Sequence, residues 1–195
     1  MVIAYHLIWT AYGTWLPNDP RGSGSRCVAS SQLAELGEHH SGRKLIQPPR
    51  RVVREFYHRA EPLLQFPIVR FDAPQFDQIA CGFADAIALH HYTSYACAIM
   101  PDQVHLVIRK HRHRAEGMID NLQSASRLRL SSARELPTNH PVWTLGGCKR
   151  FLGTPDHVRT AIRYVDNNPI KIGRPRQSWP FIVPYDNWPF HKGRV

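Results

Sequence analysis

The sequence predicts an α+β domain, and three observations carry that prediction. A β-branched, aromatic segment opens the chain. Two similar segments flank a tight turn near its middle, and helical periodicity separates and follows them. Residues 2–10 (Val-Ile-Ala-Tyr-His-Leu-Ile-Trp-Thr) read as a buried strand. Gly13, Pro17, Asn18, Asp19, Pro20 and Gly22 then break the pattern. Residues 21–70 mix Gly/Ser-rich and Pro-rich patches around a short helix near Val52–Tyr57, and read as an insertion. From Asp72, Phe76, Ile79, Ala80, Phe83 and Ile87 recur with helical period, with Pro74 in the first turn. Residues 94–99 and 104–109 read as a hairpin turned by Met100-Pro101-Asp102. Residues 115–135 read as a basic amphipathic helix with Ile119, Leu122 and Leu130 on its apolar side. A short strand is expected around Val142–Leu145. The last helix has Thr154 as N-cap, Pro155 at its first position and Asn168-Pro169 at its end. The first six elements fit a ferredoxin-like βαββαβ sandwich with helices on one face, and the seventh is an additional C-terminal helix. The domain is expected to span residues 1–173, with residues 174–195 as a tail packed on it.

A chain of 195 residues, 43% apolar and 10% aromatic, can bury a core and is not globally disordered. No apolar run is long enough to span a membrane, and the first residues lack signal-peptide character. The scattered Cys27, Cys81, Cys97 and Cys148 supply neither a disulfide framework nor a C-x-x-C zinc motif, so a reducing, cytoplasmic setting is expected. Charge is distributed unevenly. Residues 1–102 carry 9 Lys/Arg and 9 Asp/Glu, so the formal net charge of +10 belongs to the second half. Such asymmetry suits a polyanion partner.

Two positions could carry chemistry. Gln103 and His105 alternate on one strand and so share a face, where an amide oxygen and an imidazole nitrogen could hold one divalent cation. Asp102, by the same alternation, points away. Tyr164 flanks the apolar stripe Val158, Ala161, Ile162 and Val165, with Asn168 four residues on along the same side. A tyrosine hydroxyl beside a metal-bound phosphate can attack it to form a phosphotyrosine. Arg109-Lys110-His111-Arg112-His113-Arg114 follows the hairpin directly, which would set its charges beside that metal site for phosphate contacts. Arg127 on the basic helix is a further candidate contact. Lys171, Arg174 and Arg176 form another basic patch, near Trp179.

Met100-Pro101-Asp102-Gln103-Val104-His105-Leu106-Val107 resembles the Met-Pro-Asn-His-Val-His-Leu hairpin of the HUH single-tyrosine transposases, including the REP-associated and IS200-like members. Tyr164-Val165-Asp166-Asn167-Asn168-Pro169-Ile170-Lys171-Ile172-Gly173 resembles their Tyr-Ile-x-x-Asn-Pro-Val-Lys-x-Gly helix end. Tyr5-His6-Leu7-Ile8-Trp9-Thr10 and Gly13-Thr14-Trp15-Leu16-Pro17 resemble the opening strand and loop of one branch. Val142-Trp143-Thr144 and Lys149-Arg150-Phe151-Leu152 match the stretch before the final helix.

The resemblance implies a ferredoxin-like homodimer in the bacterial cytoplasm, associated with the nucleoid. Such a protein would use Mg²⁺ or Mn²⁺ and cleave and rejoin single-stranded DNA next to hairpins. It makes Tyr164 the nucleophile, and His105 and Asn168 metal-site residues. The sequence departs from the family pattern at Gln103, where the first histidine is expected, and at Gln123, where relatives often carry lysine. Gln103 supplies a neutral amide oxygen, acceptable to Mg²⁺ or Mn²⁺. Two readings therefore stay open: a working enzyme with altered metal binding, or a non-catalytic relative that binds hairpin DNA. An RNA-binding module of the same fold would need exposed aromatics where Leu106, Val107 and Ile108 stand.

Overall fold

A computed structural model of the chain describes residues 1–133, 136, 137 and 139–190. Its strands are β1 (Ala4–Thr10), β2 (Ser94–Ile99), β3 (Gln103–Arg109) and β4 (Cys148–Leu152). Its helices are α1 (Ser31–Ala34), α2 (Arg50–Ala60), α3 (Ala73–His90), α4 (Ala115–Ser132) and α5 (Pro155–Asp166). The strands form one antiparallel sheet in the order β2-β3-β1-β4. With α3 between β1 and β2, and α4 between β3 and β4, this is the ferredoxin-like arrangement.

Strand alternation divides the sheet into two faces. Tyr5, Leu7, Trp9, Val104, Leu106 and Ile108 pack with Phe76, Ile79 and Phe83 of α3 and Met118, Ile119 and Leu122 of α4. Ala4, Ala96, Ala98 and Val107 pack with Val158, Ala161 and Val165 of α5 on the opposite face. The additional helix thus closes the side that a six-element sandwich would leave open. Small residues on β2 let it approach closely.

The helix boundaries follow their capping chemistry. Asp72 and Gln75 form a reciprocal capping box at α3. Thr154 caps α5 by accepting from the His157 N–H, with Pro155 following it. The helix expected over 115–135 ends at Ser132 with Ala133 as its cap, and residues 134 and 135 lie outside the described residues.

The fourth strand lies later than expected. Around Val142–Leu145 there is a single bridge, Ala11 to Trp143, while the ladder with β1 is made by Cys148–Leu152. Val142 has φ of 60°, which no ladder residue can keep, and Trp143 turns into the core against Trp9 and Phe71. The strand that does form, Cys-Lys-Arg-Phe-Leu, is a largely exposed edge, so its polar sequence hid it.

After α5 the chain crosses to the other edge. Gln177 brackets the Ile99 backbone, accepting from its N–H at 2.8 Å and donating to its carbonyl at 2.7 Å. The Val183 N–H donates to the Ser94 carbonyl at 2.9 Å. The free edge of β2 is thereby covered. Residues 191–195 of the tail lie outside the described residues.

Candidate active site

The site begins with the large apolar residues of β1, because they decide which way the small and polar ones face. Tyr5, Leu7 and Trp9 point to α3 and α4, so His6 points to α5. On β3 the same alternation sends His105 and Gln103 to the α5 side. The register pairs His6 with Val107 and Ile8 with His105, making the two histidines diagonal neighbours across the ladder. His6 Nε2 and His105 Nδ1 are 3.1 Å apart. Both residues are buried, at 3% and 4% exposure. Burial, helped by Arg150 opposite His6 on β4, lowers the His6 pKa to about 4. Burial also lowers His105, to about 3, with His6, Lys171 and Arg150 adding to it. Both rings are therefore neutral at pH 7, and one donates a hydrogen bond to the other.

Helix α5 supplies the third member. Val158, Ala161 and Val165 seat it on the sheet, leaving Tyr164 at the edge of the contact and 44% exposed. The Tyr164 ring centroid is 5.7 Å from those of both His6 and His105, edge-on to each. Beyond the helix, Asn167 caps α5, Ile170–Ile172 make a 3₁₀ turn, and Gly173 takes a left-handed conformation with φ of 73°. That turn brings Lys171 back over α5. Its Nζ lies 4.0 Å from the Tyr164 ring centroid and donates to Asn168 Oδ1 at 3.0 Å. Asn168 is buried, and its Nδ2 has no hydrogen-bond partner.

The donors can be tested against a divalent cation. With its proton on Nδ1, His105 donates to His6 and keeps the Nε2 lone pair free. Histidine ligands are oriented in this way by a partner on the other nitrogen. Gln103 lies two residues away on the same face, half-buried. Among the described residues no three His, Cys, Asp or Glu side chains converge on a metal. The donor set therefore fits an open site of one imidazole and an amide, completed by substrate oxygens, and not an enclosed centre. The Asn168 oxygen is engaged by Lys171.

No protein-family model matches the chain, and no curated protein matches it. The solved structures that resemble it include two from transposase-like proteins. One is a REP-associated tyrosine transposase bound to a REP hairpin, 12% identical, with 91% of this chain and 74% of that chain covered at a TM-score of 0.48. The other is a transposase-like protein from Deinococcus radiodurans R1, 17% identical, with 90% and 93% covered at 0.41.

The structure brings together Tyr164, His105, Asn168 and Lys171, and sets Gln103 on the same face. The basic run is elsewhere. Arg109 is four residues along β3 from His105, about 13 Å at strand rise, and its guanidinium stacks on Trp188 at 3.7 Å. Lys110, Arg112 and Arg114 face solvent at that far end, so the run does not adjoin the histidines as expected. Arg127 is exposed on α4, across the sheet from Tyr164. Arg174 lies over the Phe76 ring at 5.0 Å, and Trp179 packs against the core. Gln123 donates to the Thr144 and Gly146 carbonyls and so ties down the loop before β4.

His6 and Arg150 were missed from sequence. A signal existed for His6, as the one histidine in a strand where Tyr5, Leu7 and Trp9 claim the opposite face.

Proposed function

We propose that this chain is an HUH single-tyrosine transposase, a DNA-binding enzyme that cleaves and rejoins single-stranded DNA near hairpins. The observation that carries the reading is the half-exposed Tyr164 ring, edge-on to two buried neutral histidines and capped by Lys171. Tyr164 Oη attacks the scissile phosphorus. The Oη–P bond forms as the P–O3′ bond breaks, leaving a 5′-phosphotyrosine and a free 3′-hydroxyl, with the phenol proton passing through solvent to O3′. Reversal of the step on another strand rejoins DNA. Mg²⁺ or Mn²⁺, held by His105 and Gln103 beside Asn168, would polarise the phosphate oxygens. His6 fixes the His105 ring and its tautomer. Lys171 and Arg150 add positive charge where the phosphate must sit. Arg109, Lys110, Arg112, Arg114, Arg127 and Arg174 are proposed phosphate contacts outside the centre, and a homodimer is the proposed assembly.

A second reading rests on one contact. Because Lys171 engages the Asn168 oxygen, a non-catalytic protein that binds hairpin DNA would use the same surface without a metal. One experiment separates the two. Purified protein is incubated with single-stranded hairpin DNA from the flanks of its own gene, with Mg²⁺, Mn²⁺ or chelator, and run on a denaturing gel. The proposal expects a metal-dependent covalent adduct, abolished by Tyr164→Phe while native-gel binding persists. Binding without an adduct establishes the second reading instead.

A further inference from the structure

The insertion at residues 21–70 builds a cleft of about 730 Å³ between α2 and the chain on either side of it. Arg50, Arg54 and His58 line it from one stripe of α2, at successive four-residue steps of about 6 Å. Val53, Tyr57 and Ile68 form apolar parts of its wall, and Arg21 and Arg70 face it from the flanking loops.

Not every cation here is available. Arg21 is committed to the buried Asp19, which also accepts from the Tyr57 hydroxyl, and it stacks on Trp15 at 3.8 Å. The α2 carboxylate, Glu55, pairs with Arg51 at 2.8 Å on another side of the helix. Arg50, Arg54 and Arg70 make no hydrogen bond or ion pair among the described residues, and all three are exposed. Glu61 is the lone carboxylate on the lining. Cations left unpaired around an apolar floor suit a flexible polyanion with planar bases.

The cleft connects to the candidate active site through the hairpin turn. Arg70 precedes Phe71, whose N–H donates to the Pro101 carbonyl at 2.8 Å. Tyr57 Oη lies 2.8 Å from the Thr14 carbonyl oxygen, and Thr14 Oγ1 donates to the Asp102 carbonyl at 3.0 Å. Gln103 is the next residue. The cleft is therefore tied to the Gln103 end of β3, whereas the basic run 109–114 leaves from the other end.

From these contacts we infer that the cleft of the insertion binds the single-stranded DNA flanking the scissile phosphate, with Arg50, Arg54 and Arg70 on its phosphates. This inference rests on the function proposed above and adds a second contact region to it.

The test compares a blunt DNA hairpin with the same hairpin carrying a long single-stranded extension at its 5′ or 3′ end. Affinities are measured by fluorescence anisotropy over a range of salt, in chelator. For the wild type, one of the two extensions should tighten binding by about tenfold or more. The triple variant Arg50→Gln/Arg54→Gln/Arg70→Gln should lose that gain, and its log–log salt slope should fall by about 2, for three single-strand phosphates released. The Arg50→Lys/Arg54→Lys/Arg70→Lys variant should keep the slope, which separates charge from any folding defect. An extension that adds nothing to wild-type binding overturns the cleft assignment alone, as does a Gln variant with unchanged slope. An RNA extension that binds equally well, with the same loss in the Gln variant, overturns the assignment to DNA. A wild type that binds neither hairpin overturns the proposed function, and the cleft with it.

Discussion

The pair His6–His105 predicts an acid sensitivity that can be worked out and halved by one substitution. Burial holds the two pKa values at about 4 and about 3 in the folded protein, whereas both rings titrate near 6.5 when unfolded. The sign follows from proton uptake. As pH falls below 6.5 the unfolded chain binds protons that the folded chain refuses, so stability is full above 6.5 and is lost toward the folded values. Between about pH 7.5 and about pH 5 each histidine costs about 2 kcal/mol of folding stability, and the pair about 4 kcal/mol. With a urea slope of about 2 kcal/mol per molar, the unfolding midpoint should fall by about 2 M over that interval. His6→Gln retains an amide that can meet His105 Nδ1 but does not titrate, so it should halve the fall. The assay is equilibrium urea unfolding followed by tryptophan fluorescence at both pH values, in chelator so that metal release does not contribute. Every other ionisable group is common to both proteins and cancels in the comparison. Equal losses for wild type and His6→Gln would refute the argument that burial keeps this pair neutral.

Two shorter predictions concern the scaffold and the donor set. Gly82 lies where α3 crosses α4, and a Cβ there would sit 2.5 Å from Ser126 Cα and 2.6 Å from its nitrogen. Gly82→Ala should therefore destabilise by about 1–2 kcal/mol net of its helix-propensity gain; a raised thermal midpoint would show that the helices separate freely. Gln103→His replaces an amide by an imidazole on the face shared with His105, and Mn²⁺ affinity by calorimetry should rise about tenfold or more. Unchanged affinity would remove position 103 from the donor set.

Much of this was legible in the sequence because it is local. Pro74 marks the first turn of α3, Thr154 and Pro155 announce α5 by capping chemistry, and the Met100–Asp102 turn announces its hairpin. Tyr164 and His105 stand out as candidates by the motifs around them. What the sequence hid depends on strand order. His6 joins His105 only because β1 lies beside β3, and no spacing in the chain encodes that the two residues are neighbours. Arg109 reads as a free cation until the tail brings Trp188 onto it. Lys171 reads as a DNA contact, but only the fold shows that the 3₁₀ turn behind α5 sets it over Tyr164 and onto Asn168. The strand at 148–152 was missed because an exposed edge imposes little apolar pattern.

The placement of Tyr164 explains why the additional helix matters to the proposed chemistry. A tyrosine on a loop would sample many positions and pay for each attack in ordering entropy. Here Val158, Ala161 and Val165 fix the helix on Ala4, Ala96, Ala98 and Val107, small or branched residues that allow a close approach. The rings of His6 and His105 then limit the tyrosine from below, while its outer side stays open to a strand. The same seating makes the histidines neutral, since α5 is what removes them from water. Tyrosine placement and histidine neutrality thus have one cause, the docking of α5. A substitution that loosens that docking, such as Val158→Ala, would be felt at both.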